Sequence, residues 1–212
     1  MPCPSTPKRA NCQVKGSGMG MVELLGLAGS VSVLAGWRLY LCVFVTGLAM
    51  RLGVLPLPEQ VQFLDVLANP WVMGIAALGA LAEFLADKVM WVDSLWDTLN
   101  TVARPLGGAL LALAIVDPGD PAWQVAAFLL GVGASLAAHV GKAGTRGLVN
   151  ASPEPVSNIA VSTAEDVASA GLLLLAFQYP VVAGVIALAL LAAMIGLALL
   201  ARRLLRRAFR RG

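Results

Sequence analysis

Again and again along its 212 residues the chain runs on in apolar side chains for close to 20 positions, and this repetition limits what it can fold into. A helix of roughly 20 apolar residues matches the ~30 Å hydrocarbon core of a bilayer. A soluble domain of this length has too little interior to bury several such runs at once. Composition agrees: 58% of residues are apolar and 13% charged, against about 25% charged in ordinary soluble domains. That shortage of polar surface excludes a water-soluble globular domain and a disordered chain. Cys3, Cys12 and Cys42 have no pair spacing, so a disulfide scaffold and a zinc site are excluded as well. The chain reads as an all-α, polytopic transmembrane helix bundle.

Residues 1–20 hold prolines, Lys8, Arg9, Lys15 and small polar side chains, and are expected to be a disordered arm. Met19 and Met21 stand just before the first apolar run, and either fits as a start of translation. A cleaved signal peptide fits poorly, because the run from Met21 to Met50 exceeds the ~7–15 residues of such a core. Six helices are predicted, at about 21–50, 69–87, 93–116, 121–146, 158–178 and 180–202, giving a membrane domain over 21–202 and a basic tail over 203–212. The breaks have local causes. Pro56 and Pro58 stop a helix, Asn69-Pro70 reads as a cap with proline at the first helical position, and Asp117-Pro-Gly-Asp-Pro121 spells a turn. Ser152-Pro-Glu-Pro155 is a further loop, and Tyr179-Pro180 separates the last two spans.

Orientation follows from Lys and Arg. With a cytoplasmic N-terminus and six crossings, both termini lie inside. Lys8, Arg9, Lys15, Lys88, Lys142, Arg146 and the six arginines from Arg202 to Arg211 then fall inside, and only Arg51 outside. Trp71 and Trp123 mark one interface, Trp91 and Trp96 the other. The arginine-rich tail is expected to grip anionic lipid headgroups, at about 1 kcal/mol per basic residue, rather than nucleic acid.

Charges that a bilayer should exclude carry the functional information. Asp93, Asp97, Asn100 and Arg104 follow one another at helical spacing and share a face. The clean apolar run after them, 105–116, extends about 18 Å, too short to cross, so the span must draw these residues in. The run 167–177 is shorter still and draws in Glu165 and Asp166, on a face with Ser162 and Ser169. Glu83 and Asp87 share a face at the end of helix 2. Ser135, His139, Lys142 and Arg146 share one on helix 4. Arg38 stands mid-span in helix 1 and must have a partner. The topology brings the carboxylates Glu83, Asp87, Asp93, Asp97, Glu165 and Asp166 to one end of the bundle, facing Lys88, Arg104, Lys142 and Arg146. At roughly +2.5–3.5 kcal/mol per charge at a helix centre, pairing or a bound ion is compulsory. Gly26, Gly29, Gly36, Gly47, Gly131, Gly133 and Gly141 permit close helix approach or local unwinding.

Two blocks of these residues resemble a known family. Glu83-Phe-Leu-Ala-Asp87-Lys88, Asp93-x-x-x-Asp97 and Arg104-Pro105-x-Gly107-Gly108 resemble the first signature block of the domain-of-unknown-function 4126 family. Lys142-Ala-Gly-Thr-Arg146, Asn150-x-Ser-Pro-Glu-Pro155, Ser157-Asn158 and Ser162-x-x-Glu165-Asp166 resemble its second. The likeness runs from about Gly26 to Leu190, with Met90 where the pattern has proline. It implies a bacterial multi-pass protein, placed in the inner membrane, and supplies no activity. Glu83-x-x-x-Asp87-Lys88 is also similar to the E-x-G-D-K type motif of small cation exchangers built from two three-helix repeats. Gly26/Ser30/Gly36 and Gly131/Ser135/Gly141 share a spacing and leave a 3+3 pseudo-repeat open, although carboxylates end helix 2 and open helix 5.

Three functions suit this pattern. In the first, transport of a small cation or proton-coupled solute, Glu83, Asp87, Asp93, Asp97, Asn100, Glu165 and Asp166 bind the ion. Arg38, Lys88, Arg104, Lys142 and Arg146 act as counter-charges, and Asp97, Glu165 and Asp166 are the candidate ligands of a divalent cation. In the second, a scaffold, the charges only hold helices together. In the third, a Mg-dependent enzyme on a lipid or polyprenyl phosphate, Asp93 and Asp97 hold the metal while His139, Lys142 and Arg146 bind phosphate. The lipid bilayer is the one partner implied, and a homo-oligomer is left open.

Overall fold

A computed structural model describes the backbone of residues 19–53, 59–88, 90–116, 119–149 and 155–209. It is a bundle of six helices with no strand among the described residues. These are α1 (Met21–Arg51), α2 (Pro70–Ala86), α3 (Met90–Leu113), α4 (Pro121–Val149), α5 (Pro155–Gln178) and α6 (Pro180–Phe209). A 3-10 helix over Glu59–Ala68, which apolar periodicity does not announce, leads into α2. Residues 1–18, Pro56, Pro58, Asp117 and 150–154, on which the arm and several turns were placed, lie outside the described residues.

The predicted boundaries have their predicted causes. Asn69 Oδ1 accepts from Trp71 N at 2.9 Å with Pro70 at the first helical position, and Asp120 Oδ1 accepts from Ala122 N and Trp123 N at 3.0 and 3.3 Å ahead of α4. Each cap satisfies backbone donors that the first turn leaves unpaired. Tyr179, before Pro180, ends α5, and its carbonyl accepts from Ala183 N at 2.9 Å to begin α6. α6 remains helical through Phe209, so the predicted boundary at 202/203 is not a break in the helix.

Polarity is reversed relative to a soluble protein. Trp71, Leu78, Leu99, Val125 and Val185 lie exposed on the outside, while Arg38, Arg104 and Lys142 are among the largest fully buried side chains. Four helices are long and apolar enough to cross a membrane: α1 and the stretches Pro121–Arg146, Ile159–Gln178 and Pro180–Leu200. An apolar exterior over a polar interior is the arrangement a lipid solvent requires.

The neighbours along α1 disclose a reversal. Near its start, Leu24 and Leu25 share a cavity with Val116 and Trp123. Further on, Ser32 Oγ donates to Gly108 O at 3.3 Å. Contacts along α3 have so far moved from 116 down to 108. After Arg38 they climb again: Leu39 lies against Gly107, Val43 lines a cavity with Leu110 and Leu111, and Gly47 meets Leu67 and Met73. Arg38 itself leaves the helix, at φ −143° and ψ 71°. α1 is therefore two half-helices, 21–37 and 39–51, that enter and leave on the same face. Helix 4 gives the depth of the turn: Gly36 packs on Ser135, midway along α4, where a Cβ would collide with the Ser135 backbone.

The first half of α1, α2, α4 and α6 run one way across the bundle, and α3 and α5 run back. Gly26 beside Pro180, Gly141 beside Met194 and Gly144 beside Ala198 fix those senses. The start of α1 and the end of α6 consequently lie on opposite faces. This corrects the expectation that six crossings return both termini to one side: length and hydropathy give α1 enough residues to cross, but Arg38 turns it round. With respect to a 3+3 repeat, α2 and α5 run in opposite senses, as do α3 and α6, whereas the first half of α1 and α4 run in the same sense.

In a variant without native cysteines, single cysteines at Met21, Arg51 and Arg203 should label with a membrane-impermeant thiol reagent from sides determined by this fold. Met21→Cys and Arg51→Cys should react from one side and Arg203→Cys from the other. Reaction of Met21→Cys and Arg203→Cys from the same side would contradict the reversal.

Candidate functional site

The broken α1 brings Arg38 at mid-depth to the end of α2, beside the middle of α5 and the last turns of α4. Asp87 caps α2, its backbone N–H bonding Glu83 O at 3.0 Å. One guanidinium nitrogen of Arg38 pairs with Asp87, and the other lies 3.3 Å from Glu165 and 3.2 Å from Asp166. The same nitrogen donates to Ser162 O at 3.3 Å. Three carboxylates from two helices thus converge on a single arginine that is 1% exposed.

Arg104 does the same on the other flank. Its two terminal nitrogens reach Glu83 at 2.6 Å and Asp97 at 2.7 Å. Lys142 stands between the groups, 3.8 Å from Glu83 and 3.5 Å from Asp87. Arg146 closes the ring at 2.7 Å from Glu165 and 3.3 Å from Asp87, and donates to Asp87 O at 3.4 Å. That last contact also sets a cation against the negative end of α2. Asp97, Arg104, Glu83, Lys142, Asp87, Arg38, Glu165 and Arg146 therefore form one unbroken chain of ion pairs across five helices, with Asp166 as a branch.

His139 is tied into this chain in one tautomer. Thr101 Oγ1 gives its only proton to Asp97 O at 3.0 Å, so at 3.2 Å from His139 Nε2 it can only accept. Arg104 can only donate, so His139 Nδ1, at 2.9 Å, accepts. These two contacts place a ring hydrogen on Nε2. The imidazole orients Arg104.

The residues expected to meet do so, with distinctions. Glu83, Asp87, Asp97, Arg104, Lys142, Arg146, Glu165 and Asp166 are brought together, and Arg38 has its partners. Asp93 makes a side-chain hydrogen bond to Asp87 but has no cation within ion-pair distance among the described residues. Asn100 stands apart: its Oδ1 accepts from Tyr40 Oη at 3.0 Å and its amide donates to Trp96 O at 2.8 Å, so it ties α1 to α3. Lys88 makes no ion pair with the acids among the described residues and lies 3.4 Å over the Phe84 ring. Among the described residues no three His, Cys, Asp or Glu side chains are grouped as a metal would need. The expected set of Asp97, Glu165 and Asp166 is divided because Arg104 takes the first and Arg38 the other two. Sequence reading passed over Tyr40, whose signal is a phenol on an otherwise apolar half-helix, and Thr101.

These positions decide a comparison. The chain matches, over residues 25–199, the family described as Domain of unknown function (DUF4126). It belongs to that family. The match covers both halves of α1, the whole ion-pair chain and most of α6, so the multi-pass helical bundle and its buried charges lie within the family domain. No curated protein and no solved structure gives a significant match.

Removing one partner of a buried pair strands the other, at roughly 3–5 kcal/mol. Arg104→Gln, which strands Glu83 and Asp97, should lower unfolding stability in bicelles by about that amount. The triple variant Arg104→Met, Glu83→Leu and Asp97→Leu, which leaves neither acid stranded, should lose distinctly less. Equal loss in both would mean that Arg104 is not buried among these acids.

Proposed function

We propose that this DUF4126 protein transports a small cation or a proton-coupled solute, using the buried carboxylate network as its binding and exchange site. The observation that carries this reading is the break in α1. Half-helices that meet inside a membrane expose polar backbone where a solute can reach it, a pattern common to transport proteins. Here the break sits at mid-depth and its charged residue is directly paired with Asp87, Glu165 and Asp166. Six carboxylates against Arg38, Arg104, Lys142 and Arg146 leave the network acidic, which favours a cation or a proton over an anion.

In this reading the chain lies in a bacterial inner membrane, the face with Lys88 and the arginines of α6 is cytoplasmic, and those arginines hold anionic headgroups. The ion-pair part of the bundle is polar, whereas the half near the start of α1 is filled by Leu27, Val31, Leu34, Ile115 and Leu173. A transport cycle would have to open that apolar half, and the two halves of α1, hinged at Arg38, are the elements placed to do so. A second reading, a purely structural clamp, is supported by how completely the arginines are paired.

Proteoliposomes with an acidic interior and a trapped pH dye test the two. Addition of the transported cation should alkalinise the lumen, and Glu165→Gln should slow this at least tenfold in protein that still purifies as a folded species. No flux with any cation from methylammonium and sodium to magnesium, calcium and manganese, in protein of unchanged fold, would overturn transport and leave the clamp.

A further inference from the structure

Helix α2 buries very little of itself. Of its 17 residues only Ala76, Glu83 and Ala86 are buried, while Trp71, Ile75, Leu78, Leu81 and Leu85 lie exposed along one side. What it does hold is the second half of α1. Gly79 packs on the Tyr40 ring, and Gly47 on the backbone of Leu67 beside Met73; at both glycines a Cβ would collide. Asp87, which caps α2, pairs with Arg38. The second half of α1, the 3-10 helix and α2 thus make a hairpin tied at both ends and in the middle. Its ties to the other helices gather at one end. There Glu83 and Asp87 meet Arg104, Lys142 and Arg146, Tyr40 Oη donates to Asn100 at 3.0 Å, and Leu39 lies against Gly107. Towards the other end a groove of about 350 Å³ runs between the hairpin and α3, with Val43, Leu67, Val72 and Ile75 facing Leu110 and Leu111.

We propose that this hairpin is a gate that turns as one body about its charged end and widens or closes the groove at its far end. The inference rests on the transport reading and supplies its moving part. The other helices form the frame, locked backbone to backbone where Gly26 meets Pro180, Gly36 meets Ser135 and Gly131 meets Ala109. Only the second half of α1 is therefore free to move, and Arg38, off helical angles at φ −143° and ψ 71°, is the joint in the chain. The two ends of the hairpin differ in what movement costs. In lipid an apolar helix face trades helix contact for acyl-chain contact almost evenly, because the chains are as apolar as leucine. Separating the buried ion pairs would strand charges in the bilayer. The charged end consequently stays in place and the apolar end swings. Trp71 stands about 20 Å along α2 from Leu85, so a tilt of roughly 15° displaces it by about 5 Å.

Spin labels read this movement in the full chain in nanodiscs, by double electron–electron resonance with no cation gradient, in a variant without native cysteines. Trp71→Cys with Leu110→Cys spans the groove, Leu85→Cys with Leu99→Cys the charged end, and Val22→Cys with Val185→Cys the frame; all six positions are exposed. The first pair should show two separations about 5 Å apart, close to one helical turn, and the other two pairs a single narrow one. Ala76 lines the groove, and Ala76→Phe should at least double the share of the longer separation; if that variant does not fold, the three label pairs decide alone. One narrow separation across the groove, equal spread in all three pairs, or a distribution that Ala76→Phe leaves unchanged overturns the proposal. No flux enters the measurement. Two separations in protein that moves no cation would defeat the transport reading and leave the swinging hairpin, whereas cation flux with one fixed separation would do the reverse.

Discussion

A charge inside a bilayer must be paired, and Arg38 is where this chain meets that requirement. At a helix centre an unpaired arginine costs roughly 2.5–3.5 kcal/mol on insertion scales. The nearest acids are not on a straight continuation of α1 but at the end of α2 and midway along α5. Breaking the helix at Arg38 lets the guanidinium reach Asp87, Glu165 and Asp166 together. The break then decides the topology, because the second half of α1 returns to the face it came from. The pairing also explains why α2 can be as short as 17 residues: its charged end stops inside protein, on Arg38, Lys142 and Arg146, and never has to reach the aqueous surface.

The network is held open to reading by its asymmetry. Asp87 is the hub, within reach of Arg38, Lys142 and Arg146, while Glu83 and Glu165 each bridge two cations. Asp93, at the margin, has no cation at ion-pair distance among the described residues. Close packing supplies the rigidity around it: Gly36 against Ser135 and Gly131 against Ala109 let α1, α3 and α4 approach so nearly that a methyl group would not fit.

Most of this was legible in the sequence because membrane physics makes charges conspicuous. The short apolar runs after Arg104 and Asp166 forced those residues into the bundle, and the structure puts them there. Asn69-Pro70 and Asp120-Pro121 announced helix starts through local hydrogen bonding alone. The reversal of α1 was not legible. Periodicity and hydropathy treat Gly36-Trp-Arg38-Leu as one more turn of helix, and only tertiary partners reveal that Arg38 abandons helical angles to find its acids. The division of labour among the acids was hidden for the same reason. Helical spacing grouped Asn100 with Asp97 and Arg104, but a partner on α1, Tyr40, claims it.

The most direct test of the central claim is the coupling between Arg38 and Asp87, measured by equilibrium unfolding in bicelles of Arg38→Gln, Asp87→Asn and the double variant. If Arg38 is held by that acid, the two losses should fall short of additive by about 1.5 kcal/mol or more, within the 0.5–3 kcal/mol span of residues in contact. Losses that add to within about 0.3 kcal/mol would mean that the arginine finds its partner elsewhere, and that neither the turn in α1 nor the network built on it stands as described.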